Sequence, residues 1–195
     1  MQLDLPELRR RLATRSVPEF TVFGDDGTEG REFAATAAAV LIPVIAHGEL
    51  TVLFTRRTTH LKSHAGQVSF PGGRAEPGDS SAEFTALREA SEEIGLAAAR
   101  VEILARLPDY RTRTGFRVTP VIGLVAPPLE LAPDPSEVAE VFEVPLAFLL
   151  DPRNRQRRTR EFQGQQVGYY VFEYQERVIW GATAGMLVNL HKMLE

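Results

Sequence analysis

The chain has 195 residues, 44% hydrophobic and 25% charged, with a net charge of −4 and no cysteine. That is ample length for one domain with a real core. The balance excludes disulfides and thiolate metal sites and argues against nucleic acid as a general partner. The most apolar run, Ala34 to Ala46, contains Pro43 and is too short to span a bilayer. Arg9, Arg10 and Arg11 are followed by no apolar stretch, so the start does not read as a signal peptide. The expectation is a cytoplasmic protein with no membrane partner.

In chain order, Leu3 to Leu12 predicts an amphipathic helix, with Pro6 tolerable near its first turn. Gly24 to Gly30 is a loop by its turn residues, and residues 1–33 read as a helix-and-loop extension. Ala37 to Ala46 and Leu50 to Thr55 predict two strands joined in a hairpin at His47-Gly48-Glu49. Val68 to Phe70 is a brief strand entering Pro71-Gly72-Gly73. A helix then starts near Asp79, Ser80 or Ser81, all good N-cap residues, and stops at Gly95. Strands follow at Val101 to Leu107 and Phe116 to Val125, a proline-broken loop from Pro127 to Pro135, and a strand at Val138 to Val144. Pro145 to Leu150 reads as one helical turn. Arg160 to Tyr174 predicts a hairpin around Gly164, Arg177 to Trp180 a strand, and Ala182 to Leu194 a closing helix. With no linker long enough to divide the chain, the mixture predicts one α/β layered domain over residues 1–195, helices covering a mixed sheet.

The stretch from Gly72 to Leu96 holds the chemistry. Phe84, Leu87, Ala90 and Ile94 recur at helical spacing and predict the core-facing stripe. Glu89, Glu92 and Glu93 are three and four apart and point away from that stripe. Like charges so placed repel, and two of them lie in the last turn, where the helix dipole disfavours anions. The plain explanation is a solvated face with an Arg88–Glu92 ion pair. The glycine-rich loop beside it favours another: a hard divalent cation wants several oxygen ligands at once.

These residues resemble the box of the Nudix hydrolases, G-x5-E-x7-R-E-U-x-E-E-x-G-U. Gly73 is the leading glycine, and Arg88, Glu89, Glu92, Glu93, Gly95 and Leu96 fall in register. Asp79 stands in place of the first glutamate, with eight residues between it and Arg88 where the pattern has seven, and Ala90 is smaller than usual. The resemblance implies an α/β/α sandwich with a mixed central sheet and a loop–helix–loop. A second stretch, Leu53-Phe54-Thr55-Arg56-Arg57-Thr58 with Lys62, Gly66 and Phe70-Pro71-Gly72-Gly73, is similar to the added motif of the coenzyme A pyrophosphatases within that family, L-L-T-x-R-S-x3-R-x3-G-x3-F-P-G-G. Phe54, Thr58 and Lys62 are conservative departures, although Lys62 loses bidentate phosphate recognition.

The resemblance implies metal-assisted hydrolysis of a diphosphate, with Mg²⁺ or Mn²⁺ held by Glu89, Glu92, Glu93 and the Gly73 carbonyl. Glu89 is alternatively a base, and Arg88 orients the cluster. A further carboxylate comes from Glu137 or Glu140, the latter favoured by its position in the matched segment. On the substrate side stand Arg56, Arg57, Lys62 and Gly66; adjacent positions at a strand end put Arg56 and Arg57 on opposite faces. Coenzyme A or a derivative would give 4′-phosphopantetheine and adenosine 3′,5′-bisphosphate. The alternatives are another nucleotide diphosphate, such as ADP-ribose or NADH, and a non-catalytic nucleotide- or RNA-binding module built on the arginines from Arg153 to Arg160. That run reads more simply as an exposed loop, and Tyr169, Tyr170, Phe172 and Trp180 as strand packing. His60 and His64 lack a third ligand at any zinc spacing. The N-terminal helix and the Gly164 hairpin offer surfaces for a homodimer.

Overall fold

The computed structural model describes residues 3–14, 35–61, 64–162 and 164–195. The Gly24–Gly30 loop and Lys62 lie outside them. The elements in order are helix α1 (Leu5–Thr14), strands β1 (Thr36–Ala46), β2 (Leu50–Arg57), β3 (Val68–Ser69) and β4 (Gly72–Arg74), and helix α2 (Ala82–Ile94). Strands β5 (Val101–Arg106), β6 (Tyr110–Arg111), β7 (Phe116–Val125) and β8 (Val138–Pro145) follow, then helix α3 (Leu146–Leu149). Strands β9 (Arg155–Phe162), β10 (Gln165–Tyr174) and β11 (Arg177–Trp180) precede helix α4 (Ala182–Leu194).

Eight strands make a mixed sheet whose spine runs β3-β2-β1-β7-β5. Strand β4 pairs with β1, β6 with β7, and β8 with β2. The β1–β7 pair is parallel, from Thr36 opposite Phe116 to Ile45 opposite Val125, while the other pairs are antiparallel. Pro43, which has no N–H to give a ladder, sits where β1 changes partner. Residues 38–40 pair with β4 and residues 44–46 with β2.

Strand alternation divides the core. Ile42, Val44, Val52 and Phe54 face one side, in a cluster with Leu8 of α1 and Leu187 and Leu190 of α4. Leu41, Ile45, Leu53, Val121 and Val125 face the other, under Ala86, Ala90 and Ile94 of α2. Helices therefore cover both faces of the sheet. Among the described residues no helix is long and apolar enough to cross a membrane.

Three local expectations are corrected. The buried side of α2 is Thr85, Ala86, Ala90, Glu93 and Ile94, while Phe84 is 48% exposed. The short strands β4 and β6 carry no periodicity of their own and exist because β1 and β7 pair with them. From Arg155 onward the arginine run is not a loop but the strand β9, edge of a separate three-stranded sheet ordered β11-β10-β9, with Arg153 in the turn before it. Its side chains are largely exposed on both faces, so it shows no alternation.

Candidate active site

Gly72 and Gly73 are pinned by β4 pairing with β1, opposite Val40 and Ala39. Gly72 has φ +154°, and a Cβ there would strike the Ala39 carbonyl. A Cβ on Gly73 would lie 2.5 Å from the Glu89 carboxylate. Only glycine lets both the sheet and α2 close on this loop.

Helix α2 begins at Ser81, whose hydroxyl accepts the Phe84 N–H at 3.2 Å, and ends at Gly95 in the left-handed conformation, φ +70°. Ahead of it, Asp79 closes a turn by accepting the Glu76 N–H at 2.9 Å and takes the Thr85 hydroxyl at 2.8 Å. The extra residue of the box is absorbed ahead of the helix, and Asp79 still meets Arg88 through Nε and Nη2, both at 3.1 Å. The Arg88 guanidinium, aided by the Glu76 N–H and Thr85, holds the Asp79 carboxyl well below the usual range. Arg88 also donates to the Arg74 carbonyl at 2.9 Å and pairs with Glu89 at 3.0 Å and Glu92 at 2.9 Å. One guanidinium thus ties the loop, the turn and two glutamates together.

The three glutamates differ in setting. Glu92 is exposed and leans on Arg88. Glu89 is half-buried against Gly73, and burial raises its pKa against the pull of Arg88. Glu93 does not face outward with them, as the helical stripe predicts; it is only 5% exposed. Its carboxylate accepts the Gly72 N–H at 3.1 Å and meets Arg57 at 3.3 Å. Burial pushes Glu93 up to about 7; the Gly72 N–H and Arg57 oppose the shift, and the charges of Glu89 and Glu137 add to it. Glu137 lies 3.6 Å from Arg57.

Arg56 and Arg57 do take opposite faces of β2. Arg57 turns toward α2, with its Nε buried and without a hydrogen-bond partner among the described residues. Arg56 turns away and pairs with Glu140 at 3.0 Å. Glu140 is also bound by Arg177, through Nε at 3.1 Å and a second, shorter contact to Nη2. Arg177 lies 4.6 Å over the Phe142 ring. The structure therefore brings Gly73, Arg88, Glu89, Glu93, Arg57 and Glu137 together and leaves Arg56 and Glu140 on the far side of the sheet. Gly66 (φ +70°) sits in the turn between β2 and β3.

Among the described residues no three carboxylate or imidazole side chains converge on one point. The donor set nonetheless fits a hard divalent cation. Two partly buried carboxylates meet at the Gly72–Gly73 backbone; burial raises the pKa of both, the charge of Glu89 adds to that of Glu93, and Glu92 and Glu137 add to that of Glu89. Sequence reasoning missed Arg177, which stands alone ahead of an apolar strand and carries no motif signal. It favoured Glu140 over Glu137 as the further carboxylate, whereas strand alternation groups Glu140 with Phe142 and away from α2, and Glu137 is the one beside Arg57.

The sequence profile described as NUDIX domain matches residues 35–163. The chain is 43% identical over 158 residues to a Photorhabdus laumondii protein called uncharacterized Nudix hydrolase NudL, covering 81% of this chain and 84% of that one. It is 44% identical over 161 residues to a Pectobacterium atrosepticum protein of the same name, covering 78% and 80%. A crystal structure of a Nudix hydrolase from M. smegmatis, RenU, superposes with a TM-score of 0.49 at 24% identity, over 67% of this chain and 81% of that one.

Proposed function

The chain belongs to the Nudix family, and on that premise we propose that it is a metal-dependent pyrophosphatase that hydrolyses the diphosphate of coenzyme A or its derivatives. The products are 4′-phosphopantetheine and adenosine 3′,5′-bisphosphate. The observation that carries the hydrolytic reading is the closure of Glu89 and Glu93 onto Gly72–Gly73 with Glu137 nearby. Burial raises Glu89 and Glu93, and neighbouring carboxylate charges add to both shifts, so these groups are held together against their own repulsion. The coenzyme A reading rests on the Leu53–Gly73 segment, whose residues resemble the motif of that subgroup.

Glu89, Glu92, Glu93 and the Gly73 carbonyl would hold the divalent ion, Mg²⁺ or Mn²⁺. Bound there, it supplies charge neutralisation at the diphosphate and a lowered pKa for water. The chain's own residues do the rest. Arg88, fixed by Asp79, keeps Glu89 and Glu92 on the loop. Arg57 restrains Glu93 and Glu137. Glu137 takes a proton from the attacking water as the water oxygen bonds to one phosphorus, and the bridging oxygen leaves with the other phosphate. Glu140, neutralised by two arginines, is not the base.

A substrate panel of coenzyme A, ADP-ribose and NADH with Mg²⁺ tests the reading. Turnover highest for coenzyme A, and lost in Glu93→Gln, is expected. A preference for ADP-ribose or NADH would move the chain to another nucleotide diphosphate, and a fully active Glu93→Gln would remove the metal ligands from their role.

A further inference from the structure

The β9–β11 sheet carries a surface that the hydrolytic site does not use. On one of its faces Arg160 stands 5.2 Å over the Trp180 ring, 5.7 Å over Phe162 and 5.8 Å over Tyr169. Tyr169 and Trp180 meet edge to face at 5.8 Å. None of the three rings is in the core, and Phe162 is 36% exposed. Among the described residues Arg160 has no acidic partner, whereas Arg158 beside it is paired with Glu173 at 2.7 Å. A cation left on three partly open rings, in a chain whose net charge is −4, is not explained by strand packing.

This cluster is joined to the diphosphate site. Arg74 directly follows Gly73, and its guanidinium lies 5.4 Å over Phe116. Three residues before Phe116, in a turn braced by the Thr112 N–H to the Phe116 carbonyl and the Gly115 N–H to the Thr112 carbonyl, Arg113 lies 5.3 Å over Phe162. From the catalytic loop to Trp180 the surface is thus a succession of guanidinium groups on rings.

We infer that this surface is a nucleotide-end subsite. The base of a substrate stacks among Trp180, Tyr169 and Phe162, and Arg160 with Arg113 takes a phosphate carried on its ribose. The chemistry matches on both counts. Aromatic faces accept any planar base, and the planar guanidinium both stacks and binds phosphate in a bidentate way. This deepens the pyrophosphatase reading and rests on it, since the subsite would hold the half of the substrate that bears the base.

Trp180 is the sole tryptophan, so the subsite contains its own reporter. The experiment titrates metal-free protein in EDTA with adenosine 3′,5′-bisphosphate, following Trp180 emission and, in parallel, calorimetric heat. Saturable quenching is expected. Arg160→Ala, at an exposed position, should fold as the wild type does by circular dichroism and bind roughly ten-fold or more weakly. Glu93→Gln should bind the bisphosphate as the wild type does. An unchanged Trp180 emission, or an Arg160→Ala variant that binds normally, would overturn the subsite. So would binding of single-stranded oligonucleotide alone, which would assign the sheet to a polynucleotide. Failure of the pyrophosphatase reading would appear instead in the substrate panel, which this metal-free titration does not involve.

Discussion

Strand β2 ends in two adjacent arginines with opposite surroundings. Arg57 faces α2, where Glu89, Glu93 and Glu137 gather and acid outnumbers base around the glycine loop. Arg56 faces the other side, where a single carboxylate, Glu140, is shared between it and Arg177. The residue types are the same and the balance is inverted. Where carboxylates are in excess and partly buried, the protonated form is favoured, and a cation is what relieves the site. Where guanidinium groups are in excess, the carboxylate is spent on holding them. The ratio of partners, not the presence of acidic residues, separates a cluster suited to a cation from a brace.

Removing a carboxylate from each side should break that symmetry of composition most clearly. Glu93→Gln is expected to lower kcat by at least about 100-fold. Mg²⁺ should raise the melting temperature of the wild type by several degrees and that of Glu93→Gln by less, because the ion relieves repulsion only where it exists. Thermal melts with and without EDTA measure it. Next comes the pair in which the sequence favours Glu140 and the geometry favours Glu137: Glu137→Gln should lower kcat by about 100-fold, while Glu140→Gln changes kcat by no more than a few-fold. Equal losses in steady-state assays of the two would erase the distinction between the faces.

A smaller effect is expected from crowding the loop. Gly73→Ala places a methyl group against the Glu89 carboxylate and should reduce turnover about ten-fold by displacing it. Circular dichroism should show the fold retained.

The smallest effect sharpens the comparison from outside the site. Glu7 on α1 is another carboxylate held by two arginines, and its pKa is drawn down to about 2 by Arg10 first and Arg11 next. A carboxyl whose folded pKa is depressed stabilises the fold above its unfolded value, here about 4.5, and that contribution fades as pH falls toward 2. Urea titrations between pH 5 and about pH 2 should show a slightly steeper loss for the wild type than for Glu7→Gln.

Much of this arrangement was legible beforehand. Ser81 and Gly95 bound α2, and α4 and β7 follow their expected limits, because caps and periodicity are local signals that tertiary packing here reinforces. Glu93 was not legible as a buried group. A hydrophobic stripe counts glutamate as outward-facing, and only the Gly72 N–H and Arg57, brought from distant strands, make its burial tolerable. The three residues of β4 include two glycines and hold no pattern. The β9 strand was hidden for the opposite reason, since a ribbon with polar residues on both faces lacks the period of two.

The parallel pairing of β1 with β7 has a consequence for how the molecule comes into being. Thr36 finds Phe116 only after the segments that form β2, β3, β4 and α2 have been looped out between them, and such distant pairings are closed late because the entropy of the loop opposes them. Until then the strand that pins the glycine pair lacks its parallel neighbour, and the floor beneath Ala86 and Ala90 lacks Val121 and Val125. A chain arrested short of that closure would carry every acidic residue of the centre and none of its capability. Activity regained during refolding should accordingly trail helix formation and coincide with the last topological step.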